Sequence, residues 1–141
     1  MILVDTSGLL AALFSDQNRH QECAAALLNA TPPRIISPFV LAEADYLIQK
    51  FGGVDAEVLF LAEIGRRAYE LAAFEEDAVE RARSIITKYR TLGIGLADAS
   101  IAVLATRYDT LDVLTLDERH FRTIRPMPRK NFRILPADSS R

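Results

Sequence analysis

Cysteine is nearly absent from the chain: Cys23 stands alone among 141 residues. One thiol allows no intramolecular disulfide and no cysteine zinc site, and it fits a reducing compartment. Long apolar runs are missing too. No stretch of about 18 apolar residues occurs, so no membrane span is expected. The first apolar run is cut at Asp5, with no basic segment before it, so no secretory signal is expected. A basic excess is also lacking. The 17 Lys and Arg against 19 Asp and Glu leave a formal net charge of −2. That argues against a general nucleic-acid coat protein, but not against an enzyme whose acidic centre is offset by a bound cation. Internal repeats and low-complexity linkers are absent. The expectation is one cytoplasmic domain over residues 1–136 with a frayed tail at 137–141.

What is present is globular. Half the residues are hydrophobic and 26% are charged, and a chain of this size buries roughly 68% of its unfolded surface. Residues 2–5 form a short apolar run that ends in an acid. Thr6, Ser7 and Gly8 follow, and Thr6 or Ser7 is a plausible N-cap for a helix through Leu9, Leu10 and Leu13. A second helix is expected over 19–29, and a strand over 34–36. Ser37 and Pro38 then open an amphipathic helix that Gly52 and Gly53 end. Another helix follows from Asp55 to Ile64. Residues 69–74 suit a strand, 75–89 a helix, 91–96 a loop, and Asp98 opens a helix to about Tyr108. A strand over 112–116 ends at Asp117, a helical turn follows to Phe121, and 132–135 is a last edge strand. Strands alternating with helices argue for an α/β fold with a mainly parallel sheet covered on both faces.

That topology gathers acids. In a parallel α/β sheet the carboxyl edge is where ligands bind. Asp5 and Asp117 end strands, and Asp98 lies in the first turn of a helix that leads back into the strand before Asp117. On the helix after Pro38, Glu43 and Asp45 flank the apolar stripe on opposite sides, and helical periodicity does not choose between them. Carboxylates brought together repel: two unit charges about 4 Å apart interact by ~4 kcal/mol at an effective dielectric near 20. A divalent cation removes the conflict. With hard oxygens and no Cys or His among the donors, Mg²⁺ is expected, with Mn²⁺ as a substitute. Metal–phosphate chemistry is then the natural reading, with an activated water attacking a phosphodiester.

Four segments carry a resemblance: Val4-Asp5-Thr6-Ser7, Ser37-Pro38-Phe39-Val40-Leu41-Ala42-Glu43, Gly95-Leu96-Ala97-Asp98-Ala99-Ser100-Ile101, and Leu114-Thr115-Leu116-Asp117-Glu118-Arg119-His120-Phe121. In this order and at these spacings the chain resembles PIN-domain ribonucleases and, more narrowly, VapC toxins of toxin–antitoxin modules. The resemblance implies a three-layer α/β/α sandwich and Mg²⁺-dependent endonucleolytic cleavage of RNA. It selects Glu43 over Asp45 and assigns Asp5, Glu43, Asp98 and Asp117 to the metal, with Thr6 and Thr115 as supporting hydroxyls. It further implies a homodimer and a cognate VapB-type antitoxin.

Each feature also has an ordinary structural explanation. Asp5, Asp98 and Asp117 could each serve a helix start, and Glu43 could be a solvated flank. Taken together these explanations require four acids to reach one edge by chance. Arg119, Arg122 and Arg125, with Arg129, Lys130 and Arg133, form either an RNA-phosphate patch or a solvated face. An acidic pocket repels a phosphate backbone, which favours the patch. For His120 a packing role is favoured over acid–base chemistry, because metals can do the proton work. Phe39, Tyr46, Phe51 and Phe60 are expected to be mostly core, some of them lining an antitoxin groove. Two other classes are alternatives. A haloacid-dehalogenase-like phosphatase needs a second Asp two residues after the first, and this chain has Ser7 there. A non-catalytic α/β binding module would bind no metal.

Overall fold

A computed structural model describes residues 1–140. Five strands form one sheet: β1 (Ile2–Val4), β2 (Arg34–Ile36), β3 (Glu70–Leu71), β4 (Asp112–Leu114) and β5 (Arg133–Leu135). Their order is β3-β2-β1-β4-β5, and every pairing is parallel. β1 is the middle strand. Ile2 pairs with Arg34 on one side, and Leu3 with Val113 on the other. All three residues of β1 are buried. This explains an apolar run without alternation, since a parallel strand covered on both faces has no solvent side.

The helices are α1 (Thr6–Leu13), α2 (His20–Asn29), α3 (Pro38–Gly65), α4 (Glu76–Lys88), α5 (Leu96–Tyr108) and α6 (Glu118–Thr123). They flank the sheet, giving the α/β class expected from the alternation. Ser37 caps α3 by accepting from the Phe39 amide at 3.1 Å, with Pro38 in the first turn. The expected break at the glycine pair is present within α3: Gly53 has φ 84° and ψ 177°, a backbone that glycine adopts without a Cβ penalty. α5 carries an unbroken buried run from Ala99 to Ala105. Full burial of a side chain such as Ile101 contributes about 1.5–3 kcal/mol.

Several expectations are corrected. The N-cap of α1 is Asp5, not Thr6 or Ser7. The segment at 69–74 yields only the two-residue β3, and β4 stops at Leu114 rather than at residue 116. α5 begins at Leu96, so Asp98 is its third residue rather than its first. The tail is not frayed over 137–140. Asp138 is buried and accepts from the Ile134 amide at 2.9 Å, while Arg141 lies outside the described residues. The aromatics of α3 divide: Phe60 is core and Phe39 packs edge-on against Phe74, but Tyr46 and Phe51 are exposed. Among the described residues no helix is long and apolar enough to cross a membrane.

Candidate metal centre

Asp5 follows β1 directly and sits where a helix cap would sit, yet its side chain makes no capping hydrogen bond. Its Oδ2 instead accepts from Thr115 Oγ1 at 2.7 Å and from Ser7 Oγ at 3.1 Å. Thr115 Oγ1 in turn accepts from the Asp117 amide at 2.9 Å, and Ser7 Oγ from the Leu116 amide at 3.0 Å. Two hydroxyls therefore join the end of β1 to the segment between β4 and α6. Burial pushes the Asp5 carboxyl up to about 6, the Thr115 hydroxyl opposes that rise, and the charge of Asp98 adds to it.

Asp98 enters from the first turn of α5. Burial raises its pKa, His120 opposes the rise, and the charges of Asp117 and Glu43 add to it. The start of α5 is tied to the start of α3 through buried hydroxyls. Ser100 Oγ donates to the Ala97 carbonyl at 2.6 Å and lies 2.7 Å from Ser37 Oγ. Asp117 caps α6, with Oδ1 accepting from the His120 amide at 3.0 Å. The helix-start explanation of Asp117 is thus correct for one oxygen. The other, Oδ2, lies 3.0 Å from His120 Nδ1.

Asp5, Glu43, Asp98 and Asp117 all line one hollow of about 470 Å³ at the carboxyl edge of the sheet, together with Thr6 and Ser7. Asp45 does not join them. A hydrogen bond to Glu57, then burial, push its carboxyl up. Larger hollows of about 550 and 730 Å³ open elsewhere, beside Asp112 and Arg133 and beside Arg34 and Glu70, and neither gathers acids in this way. Size does not mark the site; convergent chemistry does.

The donors fit a divalent cation. Two of the carboxyls are raised by burial and mutual charge, which a cation relieves. Thr6, which lines the same hollow, has a buried Oγ1 with no hydrogen-bond partner among the described residues. The Thr115 hydroxyl holds Asp5, whereas the Thr6 hydroxyl holds no acid. Ser7 and His120 were undervalued by periodicity. The available signal for His120 was its place three residues after Asp117, where a cap residue and the third helical residue face each other.

The basic stretch divides as well. Arg119 and Arg125 are exposed. Arg122 is engaged within the chain: Nη1 and Nη2 donate to Asp138 at 2.8 and 2.9 Å, and Nη2 also to Glu118 at 2.8 Å. Three of the five N–H donors of Arg122 are therefore already taken by carboxylates, which compete with its expected role as a phosphate contact. Arg133 pairs with Asp112 at 3.0 Å.

Comparison with known proteins gives concordant matches. The PIN-domain family model matches residues 2–125. Ribonuclease VapC26 of Mycobacterium tuberculosis is 40% identical over 135 residues, covering 96% of this chain and 100% of that protein. Among solved structures, the M. tuberculosis toxin VapC20, described as cleaving the sarcin-ricin loop, superposes with a TM-score of 0.78 at 20% identity over 85% of this chain and 92% of that one. A toxin–antitoxin complex from Klebsiella pneumoniae gives a TM-score of 0.66 at 22% identity over 90% of this chain and 98% of that one.

Proposed function

The chain belongs to the PIN-domain family, and from that premise we propose that it is a divalent-metal-dependent endoribonuclease, the toxin of a toxin–antitoxin pair. The observation that carries the reading is the meeting of Asp5, Glu43, Asp98 and Asp117 on one hollow at the sheet's carboxyl edge. Asp5, Asp98 and Asp117 hold the cation, Mg²⁺ or Mn²⁺, and Glu43 assists from the rim. When bound, the cation supplies an activated water and positive charge for the scissile phosphate. The chain's own residues do the rest. Thr115 and Ser7 fix the Asp5 carboxyl. The exposed guanidinium groups of Arg119 and Arg125 offset the acidic rim and draw the RNA backbone toward it. The protein works where its RNA is, in the cytoplasm, as one domain.

The antitoxin has a surface to cover. Tyr46, Phe51, Val54, Val58 and Leu59 of α3 are all more than half exposed. Exposed apolar side chains on both arms of α3, before and after the Gly53 break, suit an amphipathic partner segment, here of the VapB type, and the active unit is a homodimer. The phosphatase alternative has no second carboxylate where it needs one, since Ser7 holds Asp5 there. The test is cleavage of RNA by the purified chain with Mg²⁺. The Asp98→Asn variant is expected to fold and to cleave nothing, and a chelator to stop the wild type. Expression of the chain alone is expected to arrest growth, and Asp5→Ala to relieve the arrest. Full cleavage by Asp98→Asn in Mg²⁺ overturns the reading.

A further inference from the structure

The expectation of an all-oxygen site assumed that no histidine joins the acids, and the fold brings one to them. His120 is the third residue of α6, and Asp117 is that helix's cap. The cap bond from the His120 amide to Asp117 Oδ1 fixes both residues on one turn. It leaves Asp117 Oδ2 3.0 Å from His120 Nδ1. The same Nδ1 reaches Asp98 Oδ2 at 2.7 Å. The imidazole thus stands between two of the proposed ligands, carried by α6 and α5 respectively.

We propose that His120 is itself a ligand of the cation through Nδ1, alongside Asp98 and Asp117, and that it tilts the site toward Mn²⁺ over Mg²⁺. The inference rests on the divalent-metal reading above. One donor atom from each of the three residues lies within 4.8 Å of the others. Neighbouring ligands of an octahedral ion stand about 3 Å apart when each bond is about 2.1 Å, and the separations from Nδ1, 2.7 and 3.0 Å, are of that size. A second observation is independent of these three residues. Thr6, which lines the hollow that Asp98 and Asp117 also line, has a buried Oγ1 with no partner among the described residues.

The ligand type decides the preference. Mg²⁺ is a hard ion that takes oxygen ligands and water, whereas Mn²⁺ shares that oxygen preference but, as a transition-metal ion, accepts an imidazole nitrogen beside carboxylates more readily than Mg²⁺ does. The rival role is a clamp: His120 would orient Asp98 by hydrogen bonding and never touch the ion. A clamp serves any bound cation equally, whereas a nitrogen ligand separates Mn²⁺ from Mg²⁺.

The experiment uses the metal-free full chain, titrated by calorimetry with Mg²⁺ and with Mn²⁺ separately, in the wild type and in His120→Asn. Pulsed electron paramagnetic resonance of the Mn²⁺-loaded proteins is recorded alongside. His120→Asn is expected to lower Mn²⁺ affinity about tenfold or more, with Mg²⁺ affinity changing much less. Nitrogen coupling to Mn²⁺ is expected in the wild type and in His20→Asn, and lost in His120→Asn. His20 is a clean control, since its Nδ1 lies 2.7 Å from the Ala11 carbonyl oxygen and it lines a different hollow. Equal losses for both ions, or no nitrogen coupling in the wild type, overturn the proposal and leave the metal reading standing. If neither ion binds the wild type, the metal reading falls and this inference with it. Should His120→Asn fail to fold, the wild-type spectrum alone decides.

Discussion

Thr115 Oγ1 donates a 2.7 Å hydrogen bond to Asp5 Oδ2 across 110 positions of sequence, and the same oxygen accepts from the Asp117 amide at 2.9 Å. One buried hydroxyl thereby sets the distance between two of the proposed metal ligands. Thr115→Val keeps the side chain's shape and removes both bonds. The expected cost is about 1–3 kcal/mol of stability, because a buried carboxyl loses one of its two hydroxyl donors and an amide loses its partner. Weaker Mg²⁺ binding should accompany it, with Thr115→Ser restoring most of each. Urea denaturation and calorimetric titration read the two effects separately.

The Asp5 carboxyl gives the metal-free protein a distinctive pH dependence. Its folded pKa is pushed from 3.8 to about 6, chiefly by burial. Between those values the folded chain keeps a proton that the unfolded chain has released, so stability falls as pH rises through the window. Above about 6 the penalty is complete. At about 1.4 kcal/mol per unit it is on the order of 3 kcal/mol. Asp5→Asn removes it. In chelator, the variant is expected to match or trail the wild type near pH 4 and to gain on it by up to about 3 kcal/mol by pH 7. A constant difference across this range would contradict the burial argument, and Mg²⁺ should restore the wild type at neutral pH.

The fold class and the acid edge were legible because both follow from order along the chain. A parallel sheet puts every strand end on one side, so Asp5 and Asp117 share an edge by topology, and the pairing of β1 with β4 makes them neighbours. What was not legible depends on side chains meeting across elements. Glu43 and Asp45 flank the stripe of α3 equally, and the tie is broken by Glu57, which lies beyond the Gly53 break and takes Asp45. Arg122 resembles its basic neighbours in sequence, yet Asp138, 16 positions away, pairs with it. His120 looked like packing because a histidine's partners cannot be read from its own helix. Here one partner, Asp98, comes from α5.

The division between Glu43 and Asp45 is directly testable. Glu43 lines the acidic hollow, and Asp45 does not. Glu43→Gln is expected to reduce cleavage at least tenfold, in the range set by loss of a group that supports a metal. Asp45→Asn is expected to leave cleavage unchanged and to hold or raise stability, since it relieves the carboxyl pair with Glu57. Cleavage rates at saturating Mg²⁺ and denaturation midpoints check both.

The arginines of α6 and its flank should separate in the same way. Arg122→Ala removes ion pairs to buried Asp138 and to Glu118. It is expected to cost about 1–2 kcal/mol, discounted because the guanidinium is partly exposed. Arg119→Ala and Arg125→Ala are expected to leave stability within about 0.5 kcal/mol. Each should instead weaken RNA binding and flatten the slope of log affinity against log salt by about 0.7–0.9. Fluorescence binding titrations at several salt concentrations measure this. An unchanged slope would remove that residue from the RNA surface.

Gly8 ties the fold to the site most closely. A Cβ added there would lie 2.5 Å from the Leu114 carbonyl oxygen and 2.6 Å from its carbon, and backbone atoms cannot turn aside as a side-chain tip can. α1 therefore touches the end of β4 at a distance only glycine permits. Gly8→Ala must push α1 off β4, at an expected cost of about 2–3 kcal/mol. The damage cannot stay local. Asp5 is the N-cap of the displaced helix, and Thr115, which holds its carboxyl, follows the end of β4 directly. Widening that contact lengthens the Asp5–Thr115 hydrogen bond, so the variant should lose Mg²⁺ affinity beyond what its unfolded fraction explains. Calorimetry on the folded variant at low temperature separates the two effects. Wild-type affinity there would mean that the end of β4 and the acidic hollow move independently.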